Sequence, residues 1–273
     1  MSEYTGVRGT VWFRAFTGQA SPMPGDPKSV LTADAPLGND HARFLCVVPD
    51  SHARFPCARH GEVGLEEGYT LATRVREVIE QDKNIVRRPI IAIVDVKSQA
   101  YGRREETAGI FLAAAAAADA YGSARLAGHP VIALVVGQAL SGAFLTHGYQ
   151  ANRILAFDDD GVMIHAMHKA AAARITLRSV EELEKLAKEI APMSYDIRDY
   201  AKLGLLFRLL HVENPENPSA KEIEAVQNEL IAAIEDTRKG PVDLGSRLES
   251  KGAQEIRRAS IITRNMLEAQ WAE

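Results

Sequence analysis

The sequence has 273 residues, of which 46% are hydrophobic and 25% are charged, so it can bury a full hydrophobic core. Its formal net charge of −4 and the absence of a block of basic residues argue against a nucleic-acid-binding protein. The longest apolar run, residues 110–118, is too short and too rich in alanine to span a bilayer, which argues against a membrane protein.

The first residues and the cysteines indicate a cellular compartment. Residues 1–9 are polar and contain no apolar signal segment. Cys46 and Cys57 could pair, but two cysteines in a chain of this length are typical of a reducing compartment. We therefore expect a cytoplasmic protein.

The beginning of the chain predicts no regular element. A proline-rich run at residues 21–27 interrupts it, because proline removes a backbone donor and restricts the residue before it. We expect residues 1–40 to form an irregular arm on the surface. After this arm, residues 44–48 predict a strand, and the apolar spacing in residues 69–81 predicts a helix.

The first of two strand–helix units follows. An apolar strand at residues 89–95 precedes a polar loop at residues 97–103 and an alanine-rich helix at residues 105–126. An apolar run without alternation indicates a strand that is buried on both faces. The unit therefore predicts a parallel sheet covered by helices.

The second unit repeats this order. A strand at residues 130–136 leads through a loop at residues 137–141 into a short helix at residues 141–149. Residues 153–157 and 162–165 then predict two further short strands.

The last third of the chain is predicted to be helical. Two capping boxes place a serine three residues before a glutamate at the start of an apolar-periodic segment: Ser179 with Glu182, and Ser219 with Glu222. Gly240 and Pro241 end the second of these helices, and residues 253–271 predict a last one. No linker divides the chain, so we expect one α/β domain over residues 1–273 with a helical C-terminal part.

The corner between the second strand and its helix carries the strongest functional signal. The backbone N–H groups of Gly142 and Ala143 fall in the first turn of the predicted helix, where they lack intrahelical partners. Small residues let a substrate oxygen approach such donors, which stabilise enolates and tetrahedral intermediates. The corner therefore predicts an oxyanion hole. The alternative is that its glycine only permits a tight turn.

The loop after the first strand ends at the same edge of the predicted sheet, where α/β proteins bind ligands. Two loops side by side could hold two oxygens of one substrate. The candidate substrate-binding residues of the two loops are Gln99, Ala100, Tyr101, Gly102 and Gln138.

These segments together resemble the crotonase superfamily. The resemblance rests on residues 95–102 (DVKSQAYG), the alanine-rich helix, residues 129–145 (HPVIALVVGQALSGAFL) and residues 163–165 (MIH). It is closest to the carboxyltransferase branch and, over residues 40–240, to the gamma subunits of biotin-independent malonate decarboxylases. It implies a crotonase-like β-β-α spiral.

The sequence departs from the carboxyltransferase pattern at two places. Residues 96–99 read Val-Lys-Ser-Gln where that branch has Thr-Pro-Gly, and Ala139 and Leu140 replace glycines. Both departures fit an enzyme that works without biotin.

The resemblance implies a reaction and a set of partners. Complexes of this family remove CO2 from a malonyl thioester carried by an acyl carrier protein on a CoA-like phosphopantetheine arm. Backbone donors stabilise the resulting acetyl enolate, which is then protonated, so neither a metal nor a cofactor bound directly to this chain is implied. A beta subunit supplies the other half of the active site, and a transferase alpha subunit is left open as a further partner.

Within this resemblance, several side chains have two interpretations. Tyr101 and Gln99 could hydrogen-bond the departing carboxylate, or belong to an ordinary turn. Arg103 and Arg104 could meet a phosphate of the carrier's arm, or form a solvated helix start.

Ser141 has three interpretations. It could cap the helix, contact the substrate through its hydroxyl, or act as a nucleophile with His165 as its base. The last arrangement resembles the Clp peptidases, although their turn carries one more residue after the serine. An α/β-hydrolase elbow fits less well, because Ala139 and Ala143 stand where that motif has glycines.

His165 could donate the proton to the enolate, make a polar contact, or be a satisfied half-buried histidine. We expect no metal site at His165 and His168, nor among the scattered residues His41, Cys46, His52, Cys57 and His60, whose spacing matches no standard zinc module. The sequence thus supports half of an acyl-thioester decarboxylase, with a non-catalytic scaffolding subunit and a Clp-like hydrolase as alternatives.

Overall fold

The computed structural model describes residues 6–19 and 21–272, and one mixed β-sheet runs through them. The seven strands of these residues are β1 (Val30–Leu37), β2 (Asp40–Val47), β3 (Ile90–Val96), β4 (Val131–Leu140), β5 (Arg153–Phe157), β6 (Met163–His165) and β7 (Arg208–Leu210). The α-helices are α1 (Val7–Thr17), α2 (Leu65–Gln81), α3 (Arg103–Thr107), α4 (Ile110–Leu126), α5 (Ser141–Thr146), α6 (Lys169–Ile175), α7 (Val180–Glu189), α8 (Ile197–Lys202), α9 (Ala220–Lys239), α10 (Lys251–Ile256) and α11 (Arg258–Trp271).

The strands lie in the order β1-β2-β3-β4-β5-β7, and β6 pairs with β4. Strands β1 and β2 form an antiparallel hairpin, whereas all other pairs are parallel. Strand β3 is buried along its whole length, and β4 is buried except at half-buried Gln138. Burial on both faces explains why these two strands are uninterrupted apolar runs in the sequence.

The expectation of an irregular arm over residues 1–40 is wrong. Helix α1 buries Trp12, Phe13 and Phe16 in the core, and the indole nitrogen of Trp12 donates to the carbonyl oxygen of Pro215 at 2.9 Å. Packing of this aromatic face stabilises a helix that local propensity alone does not predict.

Strand β1 also lies within the expected arm and pairs with β2 along its full length. It tolerates Pro36 because an edge strand has N–H positions that need no ladder partner. The proline-rich run at residues 21–27 lies outside helix and strand, as predicted. Residues 1–5 of the expected arm lie outside the described residues.

Other boundaries differ locally. The loop predicted at residues 137–141 is instead the last part of β4, which continues to Leu140. The helix predicted at residues 105–126 is divided into α3 and α4, because Gly109 has a φ of +86°. The C-terminal helix predicted over residues 253–271 is likewise divided into α10 and α11.

Both predicted capping boxes are confirmed. The hydroxyl of Ser179 accepts from the backbone N–H of Glu182 at the start of α7, and Ser219 makes the same bond with Glu222 at the start of α9. Of the helices that the structure describes, none has both the length and the apolar character needed to cross a membrane.

Candidate active site

The two loops singled out in the sequence meet at the carboxyl ends of β3 and β4. Strand β4 pairs with β5 up to Val135, then leaves it and pairs with β6 from Gln138 to Leu140. On its other side Ala139 pairs with Val96, the last residue of β3. The loop that follows β3 and the turn that follows β4 are therefore neighbours, as expected for adjacent parallel strands.

Ser141 begins α5 directly after β4. Its φ of +62° lies in the left-handed region, which is uncommon for residues other than glycine. The N-cap position belongs to Leu140, so the interpretation of Ser141 as the helix cap is wrong. The buried hydroxyl of Ser141 instead shares a hydrogen bond with the phenol of Tyr101.

Gly142 and Ala143 follow in the first turn of α5, where backbone N–H groups have no carbonyl partner within the helix. A Cβ atom at position 142 would overlap the side-chain oxygen Oε1 of Gln99. The Gln99 side chain lies directly against this turn, so a side chain at position 142 would have to displace its end. Gln99 and Gly142 belong to different loops, and the fold brings them together.

The loop after β3 is held in place by its backbone. The N–H of Val63 donates to the carbonyl of Ser98, and the N–H of Ala100 donates to the carbonyl of Val63, both at 2.9 Å. Tyr101 keeps 53% of its side chain exposed although its phenol is hydrogen-bonded, so it is accessible from outside. Ala100 is fully buried, and half-buried Gly102 precedes α3.

Gln138 lies at a different part of the site. Its backbone N–H donates to Oδ1 of Asp95 at 3.1 Å, and its residue is half-buried on β4. Four of the five candidate substrate-binding residues thus form one edge of the site, and Gln138 lies on the strand that leads to Ser141.

His165 lies on β6, with its backbone beside Leu140. Its Nδ1 faces both the N–H and the carbonyl of Met167, at 3.0 and 2.8 Å, and its ring stacks on Tyr195 with centroids 4.0 Å apart. Burial lowers the pKa of His165, against an opposing contribution from the Met167 backbone. Burial also raises the pKa of Tyr195 to about 12.

These contacts test the interpretation of Ser141 as a nucleophile with His165 as its base. No hydrogen bond joins Ser141 to His165 in the part of the chain that the structure describes; the hydroxyl bonds Tyr101 and the Nδ1 of His165 faces Met167. His165 is a half-buried side chain held by its own backbone neighbour and by an aromatic ring.

The structure gives no support for a metal site. Within residues 6–19 and 21–272 no group of three or more His, Cys, Asp or Glu side chains could hold a metal ion. His168 does not pair with His165; its ring faces the backbone of Lys97, and burial lowers its pKa. Cys46 and Cys57 are free thiols.

Arg103 and Arg104 lie at the exposed start of α3, beside the loop that carries Tyr101. The guanidinium of Arg104 lies 5.1 Å from the ring centroid of Phe55. Both side chains are therefore available at the rim of the site.

Sequence reasoning missed two neighbours of the site. Tyr195 stacks on His165 from a segment 30 positions away, and nothing in the sequence marks this contact. Asp95 is the one charged residue of β3, lies next to its last residue Val96, and is 3% exposed. A buried carboxyl at the carboxyl end of a strand could have been recognised as unusual.

Comparison with known proteins identifies the family of this chain. The family model described as malonate decarboxylase gamma subunit matches residues 58–271. A malonyl-S-ACP:biotin-protein carboxyltransferase, MADD of Malonomonas rubra, is 38% identical over 209 residues, which cover 75% of this chain and 71% of the relative.

Two solved Pseudomonas structures are also similar. A chain of a malonate decarboxylase hetero-tetramer in complex with coenzyme A is 56% identical with a TM-score of 0.93, and covers 97% of this chain and 100% of its own. A chain of an MdcD–MdcE hetero-dimer of malonate decarboxylase is 55% identical with a TM-score of 0.89, over 97% and 99% of the two chains.

A more distant likeness concerns the fold alone. Transcarboxylase 12S has a TM-score of 0.58 at 19% identity, covering 78% of this chain and 36% of the other. The fold class expected from the sequence, an α/β fold similar to carboxyltransferase and crotonase-like enzymes, is confirmed.

Proposed function

The chain belongs to the malonate decarboxylase gamma subunit family, and from this premise we propose that it forms, with a beta-type subunit, a decarboxylase for malonyl-S-acyl carrier protein. The products are the acetyl thioester of the carrier and CO2. The observation that carries the proposal is the meeting of the Gln99–Tyr101 loop with the Ser141–Gly142 turn at the ends of β3 and β4.

In the proposed reaction the bond between the carboxylate carbon and the α-carbon of the malonyl group breaks, and CO2 leaves. The electron pair moves into the thioester as an enolate, whose oxygen carries the negative charge. In this proposal the backbone N–H groups of Gly142 and Ala143 donate to that oxygen, and the loss of one donor of this kind costs about 10²–10³ in rate. A proton added to the α-carbon completes the acetyl thioester.

The remaining site residues have supporting roles in this proposal. Tyr101 and Gln99 lie where a carboxylate would leave, and Gly102 and Gln138 complete the lining for the thioester. Ala100 is fully buried and therefore, contrary to expectation, does not line the site; its backbone N–H anchors the loop to Val63. Ser141 contributes a hydroxyl that is already oriented by Tyr101. Burial lowers the pKa of His165 and so disfavours its charged form, which suits a polar contact or a proton relay better than a fixed positive charge.

The proposal assigns the partners as well. The similar Pseudomonas proteins were solved as hetero-oligomers, which supports assembly of this chain with a beta-type subunit. The carrier's CoA-like phosphopantetheine arm would enter between the two subunits, with its phosphate near the exposed side chains of Arg103 and Arg104. No cofactor is assigned to this chain itself, and a transferase alpha subunit remains a further candidate partner.

Transfer of the carboxyl group to biotin is a second candidate. The relative from Malonomonas rubra is named as a carboxyltransferase to a biotin-protein. The residues at positions 96–99 and 139–140 depart from the carboxyltransferase pattern and favour release of CO2 instead.

A serine hydrolase is a third candidate, and the left-handed conformation of Ser141 at a strand–helix corner favours it. The hydroxyl of Ser141 bonds a phenol rather than an imidazole, which supports the decarboxylase. A fluorophosphonate probe should therefore leave Ser141 unlabelled. Stoichiometric labelling together with ester or peptide cleavage would overturn the decarboxylase proposal.

The main experiment is reconstitution. The chain and a beta-type subunit are mixed with malonyl-S-acyl carrier protein, and the carrier is followed by mass spectrometry while CO2 is measured. The mixture should form acetyl-S-acyl carrier protein, and the isolated chain should not. An added biotinylated protein should remain uncarboxylated, and avidin should not inhibit. Turnover by the isolated chain at the rate of the mixture would refute the shared site, and avidin-sensitive carboxylation would establish the transferase.

A further inference from the structure

Strand β4 bends just before the site. Along β3, Val94 pairs with Val135 and Val96 pairs with Ala139, so one residue of β3 stands opposite three residues of β4. The extra residues on β4 are a bulge at positions 136–138. Bulges break the ladder and turn a strand, and they are common beside active sites.

The bulge coincides with a change of neighbours. Before it, β4 pairs with β5, and after it, β4 pairs with β6, the strand that carries His165. The bend therefore sets the direction in which Leu140, Ser141 and Gly142 leave the sheet.

A bulge leaves backbone groups without ladder partners. Here two side chains form hydrogen bonds with these groups. Oδ1 of Asp95 accepts from the N–H of Gln138 at 3.1 Å. A guanidinium nitrogen of Arg8 donates to the carbonyl of Val136 at 3.3 Å. Unpaired buried backbone groups are costly, so these two contacts stabilise the bend.

Asp95 fills the space that the bulge opens. A Cβ atom at Gly137 would overlap its Oδ1, so the carboxyl group lies directly against the bent backbone. The other oxygen, Oδ2, accepts from the N–H of Gly9 at 3.2 Å, in the first turn of α1. One carboxyl group thus joins the N-terminal helix to the bend in β4.

Arg8 is itself fixed on the same helix. It forms an ion pair with Asp159 at 2.6 Å, and its side chain is 16% exposed. Helix α1 therefore contacts the bend twice, through a side chain of its own and through Asp95.

We propose that Asp95 is a positioning residue for the reaction: it fixes the bend in β4 and so aims the Ser141–Gly142 turn at the substrate. Asp95 does not touch the substrate in this account. The inference rests on the proposed function for its catalytic consequence, but its structural part can be tested without any activity.

The test compares variants in the reconstituted complex with the beta-type subunit. Asp95→Asn preserves the shape of the side chain but turns one acceptor into a donor that faces a backbone N–H. The turnover number kcat should fall about 10²-fold, the effect of a misplacement of about 1 Å. KM should change by less than about twofold, because the displaced donors act on the enolate oxygen of the transition state and the ground-state contacts outside the turn are unchanged. Asp95→Glu should not restore kcat, since Gly137 leaves no room for a longer side chain.

Asp82→Asn is the matched control. Asp82 is also a fully buried carboxylate, but it pairs with Arg88 at the end of α2 and touches none of the site residues. This variant should lose stability and keep its kcat per assembled complex.

Hydrogen exchange supplies the second readout. Backbone amides of residues 136–144 should exchange faster in Asp95→Asn than in the wild type, and should not do so in Asp82→Asn. Unchanged exchange and unchanged kcat in Asp95→Asn would overturn the proposal, as would equal losses of kcat in both variants. If the wild-type complex releases no CO2, the proposed function fails, and the exchange rates alone then decide whether Asp95 holds the bend.

Discussion

The phenol of Tyr101 and the hydroxyl of Ser141 are hydrogen-bonded to each other although 40 positions separate them in the chain. This bond joins the loop after β3 to the turn after β4. Within the described residues, the serine hydroxyl makes no hydrogen bond to His165, the base that a serine nucleophile would need. Five predictions about the site and its assembly can be checked by experiment.

The first prediction concerns this bond. Tyr101→Phe and Ser141→Ala should each lower kcat/KM about two- to tenfold, because a neutral hydrogen bond contributes roughly 0.5–1.5 kcal/mol. The double variant should be no worse than either single one, since both remove the same interaction. A double-mutant cycle measures this, with Tyr69→Phe on the exposed side of α2 as an unaffected control. Additive losses would show that the two hydroxyl groups act separately.

The second prediction separates strain from chemistry at position 141. Ser141→Gly should have a free energy of unfolding about 1 kcal/mol higher than Ser141→Ala, because both variants lack the hydroxyl and glycine adopts a φ of +62° without the cost that a side chain imposes. The same variant should lower turnover, since the hydroxyl is lost. Urea unfolding of the chain and turnover of the complex are the two measurements. A glycine variant that is no more stable than the alanine variant would contradict the assignment of strain to Ser141.

The third prediction concerns the space at Gly142. Gly142→Ala should lower kcat by about two- to tenfold, because the added Cβ overlaps Oε1 of Gln99 and displaces the end of this side chain and its hydrogen-bonding group from the turn. In a chain that already carries Gln99→Ala, Gly142→Ala should lower kcat no further, because the overlapping group is gone. Gly142→Pro removes the N–H itself, so it should lower kcat even in that chain. No effect of Gly142→Pro there would mean that the N–H of Gly142 has no role.

The fourth prediction concerns pH and stability. His147 is fully buried between the phenol of Tyr121 and the carbonyl of Ile93, and burial lowers its pKa to about 4. An unfolded histidine has a pKa of about 6.5, so the unfolded state binds more protons between these two values. Stability should therefore fall as the pH drops through this window, by about 2 kcal/mol from His147 alone between pH 7 and pH 5.

His147→Gln tests this assignment. Glutamine can accept from the phenol and donate to the carbonyl but does not titrate. The free energy of unfolding in urea should differ between pH 7 and pH 5 by about 2 kcal/mol less in the variant than in the wild type. An identical pH dependence in both proteins would show that His147 does not cause the loss.

The fifth prediction concerns the C-terminal helix. Within the described residues, α11 buries no side chain, and Ile262, Met266 and Trp271 are exposed by 47%, 60% and 88%. Isolated helices of this length are marginal in water, so we expect the beta-type subunit to cover α11. A chain that ends after Arg257 should unfold at the same denaturant concentration as the full chain.

The shortened chain should bind the beta-type subunit at least about tenfold more weakly, which corresponds to about 1.4 kcal/mol. Equilibrium titration of the two subunits measures this. Arg264→Ala, a change at a polar position of the same helix, is the control and should bind normally. Unchanged affinity of the shortened chain would place the interface elsewhere.

Local chemistry in the sequence was sufficient for many elements. The capping boxes at Ser179 and Ser219 and the apolar runs of β3 and β4 predicted their helices and strands, because each depends on neighbouring residues or on burial of both faces. The corner at residues 141–143 was also visible, since small residues after a buried strand mark such a turn. The family resemblance was confirmed by the comparisons.

The remaining elements and contacts depend on tertiary structure. Helix α1 and strand β1 form because Trp12 packs into the core and β2 supplies a ladder partner, and neither cause is local. The continuation of β4 to Leu140 depends on β6 and on the carboxyl group of Asp95. The hydroxyl of Ser141 is hydrogen-bonded to a phenol from another loop. Sequence periodicity reports contacts a few residues apart, whereas these groups meet only after the chain has folded, so their pairing could be read only from the folded chain.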